Sequence, residues 1–149
     1  MVVLNRGRIE QMGPPQDLYE RPRTPFVTEF LGSVNVLRGQ TASGMAVLGD
    51  GIQLPAEVDG REVPVSVYVR PHDLDLTHEC NGRPSWPGRV MRVTRLGAFV
   101  RVDVELTDSN SVRVELTRQR YAALEPRIGD TMFLAPRDLK VFVDQSQPA

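Results

Sequence analysis

The chain has 149 residues, enough for one well-buried domain and too few for two ordinary ones. Its 40% hydrophobic and 25% charged residues are those of a soluble globular protein, and a formal net charge of −1 supplies no global field to draw in nucleic acid or an acidic lipid surface. Cys80 is the only cysteine, which excludes an internal disulfide and fits a reducing compartment. Apolar runs such as Leu96–Val100 fall far short of the ~20 residues of a membrane-spanning helix.

No basic-then-apolar leader opens the chain, so the expected location is the cytoplasm. In chain order, Val2-Val3-Leu4 and Arg8 to Met12 read as a hairpin closing through Asn5-Arg6-Gly7. Pro15 suits the first position of a short helix over Gln16 to Arg21, which Pro22 stops. Thr24 then reads as an N-cap, with Phe26, Val27, Phe30 and Leu31 as the apolar stripe of a second helix ending at Gly32. A hairpin and two short helices cannot build a substantial core, so residues 1–32 look like the tail of something larger. Alone, this segment is expected to expose Leu18, Tyr19, Phe26 and Phe30, and either to dock on the rest of the chain or to drive dimerisation by exchange of a strand or helix.

From Ser33 onward the periodicity is two. Val63, Val65, Val67 and Val69 alternate with Pro64, Ser66, Tyr68 and Arg70, which predicts a half-buried strand. Val100, Val102, Val104 and Leu106 alternate with Arg101, Asp103, Glu105 and Thr107, and Val112, Val114 and Leu116 alternate with Arg113, Glu115 and Thr117. Shorter strands are predicted at Asn35 to Thr41, at Ala46 to Leu48 and at Ile52 to Leu54, the last two joined across Gly49-Asp50-Gly51. Pro87 to Arg95, Thr131 to Ala135 and Lys140 to Val143 complete the strands, with one helical turn at Arg118 to Leu124. Many short strands punctuated by Gly and Pro specify an all-β barrel or sandwich.

An internal repeat sharpens this. Tyr68-Val69-Arg70-Pro71-His72-Asp73-Leu74-Asp75-Leu76 aligns with Phe133-Leu134-Ala135-Pro136-Arg137-Asp138-Leu139-Lys140-Val141. Each copy reads as strand, Pro-x-Asp-Leu turn and short strand, with Pro fixing φ and Asp placed to cap the following amides. The expected architecture is therefore a barrel or sandwich of two similar halves over residues 33–143, with residues 144–149 a disordered tail.

Candidate chemistry is sparse. A phosphate-cradling loop needs Gly-x-x-x-x-Gly-Lys-Ser/Thr, and the sole lysine, Lys140, stands between Leu139 and Val141, so the chain itself is expected not to hydrolyse ATP. His72, Asp73, Asp75, His78, Glu79 and Cys80 contain metal-ligand types, but H-x₅-H-x-C matches no standard zinc spacing, and no metal is expected. Cys80 and His78 alone do not make a nucleophilic triad, and no catalytic residue is assigned. Arg83, Arg89, Arg92, Arg95 and Arg101 form a run without an intervening acid, answered just beyond by Asp103, Glu105 and Asp108. Only Trp86 and Phe99 accompany the run, too few stacking rings for a single-strand nucleic-acid binder. The candidate contact or anion surface consists of Arg70, His72, Arg89, Arg92, Arg95 and Arg137.

Residues 2–13 (VVLNRGRIEQMG) followed by Asp17-Leu18-Tyr19-Glu20-Arg21-Pro22 resemble the final hairpin and exit helix of ABC-importer ATPase domains. Phe26-Val27-Thr28-Glu29-Phe30-Leu31-Gly32 is similar to the junction into their transport-associated, OB-type regulatory barrel. Val34 to Gly39, Tyr68 to Leu74, Val112 to Leu116 with Arg120-Tyr121, and Pro136 to Leu139 are most similar to the sulfate/thiosulfate branch. Pro14 departs from the Thr usual before the exit helix, which removes a side-chain cap.

The resemblance implies a regulatory and dimer-contact domain, OB-like in fold, preceded by the tail of an α/β ATPase domain. Its parent would bind ATP and Mg²⁺ through motifs lying before Met1. The implied partners are a second ATP-binding subunit, the rest of its own ATPase domain and, through the parent, membrane permease subunits. The implied location is cytoplasmic and peripheral to the inner membrane, with no insertion and no nucleic acid. Two further readings stand beside it: a barrel that senses an oxyanion such as sulfate or molybdate, and an OB-fold nucleic-acid binder, which rests on analogy of fold alone.

Overall fold

The computed structural model describes residues 1–48, 53–55, 62–80, 82–107 and 109–144, and these fall into two units that divide between Val34 and Asn35. In the first, β1 (Val2–Asn5) and β2 (Arg8–Met12) form the expected antiparallel hairpin. Arg6 and Gly7 both take positive φ, 51° and 77°, as a tight turn between right-twisted strands requires. Two helices follow, α1 (Pro15–Glu20) and α2 (Pro25–Phe30). Pro14 gives α1 no side-chain cap, whereas Thr24 caps α2 by accepting from the Val27 amide at 3.3 Å.

This unit has a small core of Val3, Leu18 and Val27, flanked by Phe26 and Leu31. Buried Gln11 ties the hairpin to the link between the helices, donating to the Arg21 carbonyl at 3.0 Å and accepting from the Arg23 amide at 2.9 Å. Leu18 is fully buried, against the expectation that it would be exposed, because it meets Val3 on the inner face of the hairpin. Phe30 is 63% exposed and stacks on Phe26 rather than entering the core, so the α2 stripe is narrower than its sequence suggests. The outer face of the hairpin is also apolar: Val2 lies opposite Met12 and Leu4 opposite Ile9, and all four are exposed.

The second unit contains β3 (Asn35–Ala42), β4 (Met45–Leu48), β5 (Gln53–Pro55), β6 (Pro64–Val69), β7 (Leu74–Thr77), β8 (Trp86–Leu96), β9 (Phe99–Leu106), β10 (Ser111–Thr117), α3 (Arg118–Leu124), β11 (Thr131–Pro136) and β12 (Lys140–Val143). They form two open five-stranded antiparallel sheets, ordered β12-β6-β3-β4-β5 and β7-β11-β8-β9-β10. The all-β, OB-like expectation is met as a sandwich of two sheets. The Gly49-Asp50-Gly51 turn, Ile52 and Asp108 lie outside the described residues.

Written this way, the two sheet orders correspond strand for strand at a spacing of five elements. The last strand of each half crosses over. β7 leaves the first half through a 3-10 turn at Pro71–Asp73 and pairs with β11, while β12 leaves the second half and pairs with β6. The sequence repeat is this crossover. Its two copies pair reciprocally, although Lys140 lies opposite Tyr68 whereas Asp75, aligned with Lys140, lies opposite Ala135 rather than Phe133, a displacement of two residues. Main-chain bonds tie the turns: the Asp73 amide donates to the Arg70 carbonyl at 2.9 Å, and the Asp73 carbonyl accepts from the Arg137 amide at 2.7 Å.

One core joins the sheets, with Leu37, Val65, Val67 and Val69 from one and Leu76, Trp86, Val90, Val102, Val104, Val114 and Leu134 from the other. The alternations of β9 and β10 bury the predicted faces. β6 departs from prediction, since Ser66, Tyr68 and Arg70 are buried as well. As a central strand it is covered on its second face: Ser66 donates to Asp144 Oδ1 at 2.6 Å, and the Tyr68 ring meets the edge of Phe142 at 5.4 Å. Asp144 is thus held, its amide also donating to the Pro64 carbonyl at 2.9 Å, and does not belong to a disordered tail; residues 145–149 of that expected tail lie outside the described residues.

Gly39 in β3 and Gly88 in β8 occupy corresponding strands, and neither leaves room for a Cβ. A Cβ at Gly39 would collide with the Val47 carbonyl oxygen and Leu48 Cδ2, and one at Gly88 with Val104 Cγ1. Because Gly39 faces rigid main chain, Gly39→Ala is expected to lower stability by about 1–3 kcal/mol, read as a shift of the urea midpoint at unchanged m-value.

Candidate functional site

The residues singled out by sequence occupy three separate places. Arg70, His72 and Arg137 belong to the crossovers, Arg89 and Arg92 to the outer face of β8, and Arg95 to its far end. Arg70 is buried where β6 enters its turn, so it is no surface residue. His72 is half exposed, with Nε2 3.8 Å from the Asp73 carboxylate.

Asp75, which sequence offered only as a metal-ligand type, links several parts of the crossover. Its side chain is 16% exposed and faces three guanidinium groups: Arg83 at 3.3 Å, Arg137 at 3.4 Å and Arg120 at 3.6 Å. Arg120 also donates to the Leu76 carbonyl at 3.2 Å, and Asp75 Oδ1 accepts from the Leu76 amide at 3.0 Å. The three arginines come from the segment after β7, from α3 and from the second crossover, so one carboxylate gathers three distant parts of the chain. Only the fold could reveal this, because the four residues are scattered from 75 to 137.

The remaining metal-ligand types are engaged elsewhere. His78 Nε2 lies 2.6 Å from the Leu124 carbonyl, and Cys80 Sγ lies 3.4 Å from Ser85 Oγ. Among the described residues no three His, Cys, Asp or Glu side chains converge as a metal site. The exposed Cys80 thiol is held below its ordinary pKa, chiefly by the Ser85 hydroxyl and secondly by the Gly82 backbone.

The arginine run is resolved by register. On the outer face of the β8-β9-β10 sheet, Arg89 lies opposite Glu105, Arg92 opposite Asp103, Arg101 opposite Glu115 and Arg113 opposite Asp103, so each cation has an acidic neighbour across the strand. A bulge at Met91 shifts the alternation and places both Met91 and Arg92 outside. Beyond it Arg95 falls opposite buried Val100, on the inner face, with its guanidinium carbon 5.8 Å from the Tyr121 ring centre. Arg95 lines an open cleft of about 710 Å³ between the β8-β9 turn and the segment after α3, together with Arg118 and Arg127, neither of which sequence reasoning singled out.

Comparison with known proteins places the second unit. Residues 35–76 match the CysA C-terminal regulatory domain and residues 81–137 the TOBE-like domain. The sulfate/thiosulfate import ATP-binding protein CysA of Nitrosomonas europaea is 36% identical over 99% of this chain and 42% of its own length. The proteins of the same name from Burkholderia pseudomallei and Synechocystis are 41% and 36% identical over 95% and 100% of this chain, and each is covered over 40% of its length. The chain thus spans about two fifths of the curated relatives it matches. Among solved structures, the cytoplasmic molybdate-binding protein ModG superposes with a TM-score of 0.64 at 18% identity, over 74% of this chain and 96% of that one, which is a likeness of fold.

Two outcomes follow from this geometry. Asp75→Asn leaves three guanidiniums facing one another and is expected to cost about 1–3 kcal/mol in urea unfolding, with part of the loss recovered as added salt screens their repulsion. For Cys80, the alkylation rate plotted against pH is expected to reach its midpoint below that of the Ser85→Ala variant, in which the thiolate loses its main donor.

Proposed function

Residues 35–76 belong to the CysA C-terminal regulatory domain family and residues 81–137 to the TOBE-like family, and on that premise we propose that this chain is the C-terminal regulatory and dimer-contact part of the ATP-binding subunit of a sulfate/thiosulfate ABC importer. The observation that carries the reading is the extent of similarity: relatives of that name match 95% or more of this chain with only about two fifths of their own length. The remaining three fifths of the parent would carry the nucleotide chemistry. In this chain the single lysine, Lys140, sits in β12 and pairs with Asp138 at 3.8 Å rather than in a phosphate-cradling loop, so no step of ATP hydrolysis is assigned to these residues. ATP and Mg²⁺ would be held by the parent.

The first unit supports the same reading. Val2, Leu4, Ile9 and Met12 form an uncovered apolar face on a two-stranded hairpin, a structure that is marginal by itself. The rest of an ATPase domain would cover that face and continue the sheet. The second unit would then touch a second ATP-binding subunit, and the whole assembly would work on the cytoplasmic side of permease subunits.

A chimera tests this directly: the first three fifths of the Nitrosomonas europaea relative joined to this chain, in cells lacking their own sulfate-importer ATP-binding subunit. Sulfate uptake should depend on the chimera, and Leu4→Asp with Ile9→Asp should reduce it at least about tenfold by charging the buried hairpin face. A chimera that folds and hydrolyses ATP yet supports no uptake of sulfate or thiosulfate would overturn the proposal.

A further inference from the structure

The cleft at the end of β8 gathers three arginines around one acid. Arg38, Arg83, Arg113, Arg120 and Arg137 each pair with a carboxylate at 3.3–3.9 Å. Arg89, Arg92 and Arg101 have acids directly across the strand in register, although among the described residues none of the three closes an ion pair and Arg101 Nε is buried without a hydrogen-bond partner. Among the described residues, the guanidiniums of Arg95, Arg118 and Arg127 have neither an ion pair nor a hydrogen bond, and all three line one concavity. Among the described residues Glu125 is the only acid in its wall, so three cations and one anion leave the cleft with a charge of +2.

The cleft is built rather than incidental. Arg95 reaches it because the Met91 bulge turns its side chain to the inner face, where the Tyr121 ring carries its cation. Arg127 is placed by a tight turn in which its amide donates to Asp130 Oδ2 at 2.9 Å and the Asp130 amide returns to its carbonyl at 3.0 Å. Glu125 holds a left-handed conformation, φ 48°, at the end of α3, a conformation that disfavours a residue with a Cβ and here turns the chain so that buried Pro126 forms part of the wall. Val100, Tyr121 and Pro126 supply apolar surface between the cations.

We propose that this cleft binds a small organic phosphate or sulfate ester, its charged group held by Arg95, Arg118 and Arg127 and its apolar or aromatic body laid against Tyr121, Val100 and Pro126. Volume and lining decide the class. About 710 Å³ lies within the range of sites that take organic ligands and far exceeds the room a bare tetrahedral oxyanion fills, and such an ion would leave the apolar wall unused. Guanidinium forks match the paired oxygens of phosphate and sulfate groups. The site is independent of the importer reading, since it rests on side chains of this chain alone.

The test is calorimetry with backbone NMR on the whole chain, using adenosine 5′-monophosphate as the probe, beside adenosine, inorganic sulfate and a glutamate hexapeptide. The monophosphate is expected to bind saturably, to shift the amides of Gly97, Tyr121 and Ala122, and to bind at least about tenfold more tightly than inorganic sulfate, with no binding by adenosine. Arg118→Ala and Arg127→Ala, both at exposed positions, should each raise its Kd about tenfold, a loss of about 1.4 kcal/mol, while Arg38→Ala leaves it unchanged. The proposal is overturned by absence of binding at millimolar monophosphate, by affinities insensitive to the cleft arginines, by equal affinity for inorganic sulfate, or by preference for the acidic peptide, which would make the cleft a protein-contact surface.

Discussion

The second unit depends on the exchange of one strand between its two sheets. Each sheet has four strands from its own half and one from the other, and the exchanged strands pair through main-chain hydrogen bonds beside β6 and β11. Neither half can bury its apolar face without the other, because both contribute to a single core. Two prolines, Pro71 and Pro136, stand at the crossings, and the main-chain bond from Arg137 to Asp73 ties one crossing to the other. Asp75 works at the same place, drawing in α3, the segment after β7 and the second crossing through three arginines. Main chain sets the crossover and charge reinforces it.

Much of this was legible in sequence, for a physical reason. β9 and β10 have one buried face and one wet face, and strict alternation records that. The repeat at residues 68–76 and 133–141 was visible because the same turn geometry is needed twice. Its reciprocal pairing was not, since pairing is a long-range property. The polar residues Ser66, Tyr68 and Arg70 on the second face of this segment predict half burial; all three are buried, and β12 and Asp144 lie against β6. In the first unit, a segment this short predicts an exposed Leu18, yet Val3 and Val27 suffice to bury it.

The arginines show where pattern reading stops. Arg89, Arg92 and Arg95 are evenly spaced in sequence and look equivalent, but the bulge at Met91 puts the first two opposite acids and the third opposite Val100. Of the acids just beyond the run, Glu105 lies opposite Arg89 and Asp103 opposite Arg92, while Asp108 lies outside the described residues; which arginine faces which acid is a matter of register. Asp75 stands among His, Glu and Cys in sequence, which suggests a metal ligand; its neighbours in space are guanidiniums. Charge on this domain is therefore balanced on the outer sheet, concentrated at the crossover, and unbalanced in one cleft.

The exchanged strand also bears on synthesis. β6 emerges from the ribosome with its β12 partner still unmade, since Tyr68 waits for Lys140 and Val65 for Val143. The first sheet can form β3-β4-β5-β6 early, but it keeps the edge of β6 open until almost the last described residue has been added. The domain must therefore complete its fold after translation has passed it, through contacts of long sequence separation, and the nascent chain carries an unpaired strand edge throughout that interval. The crossover that makes the finished sandwich indivisible thus leaves its nascent form exposed to association with other chains until β12 arrives.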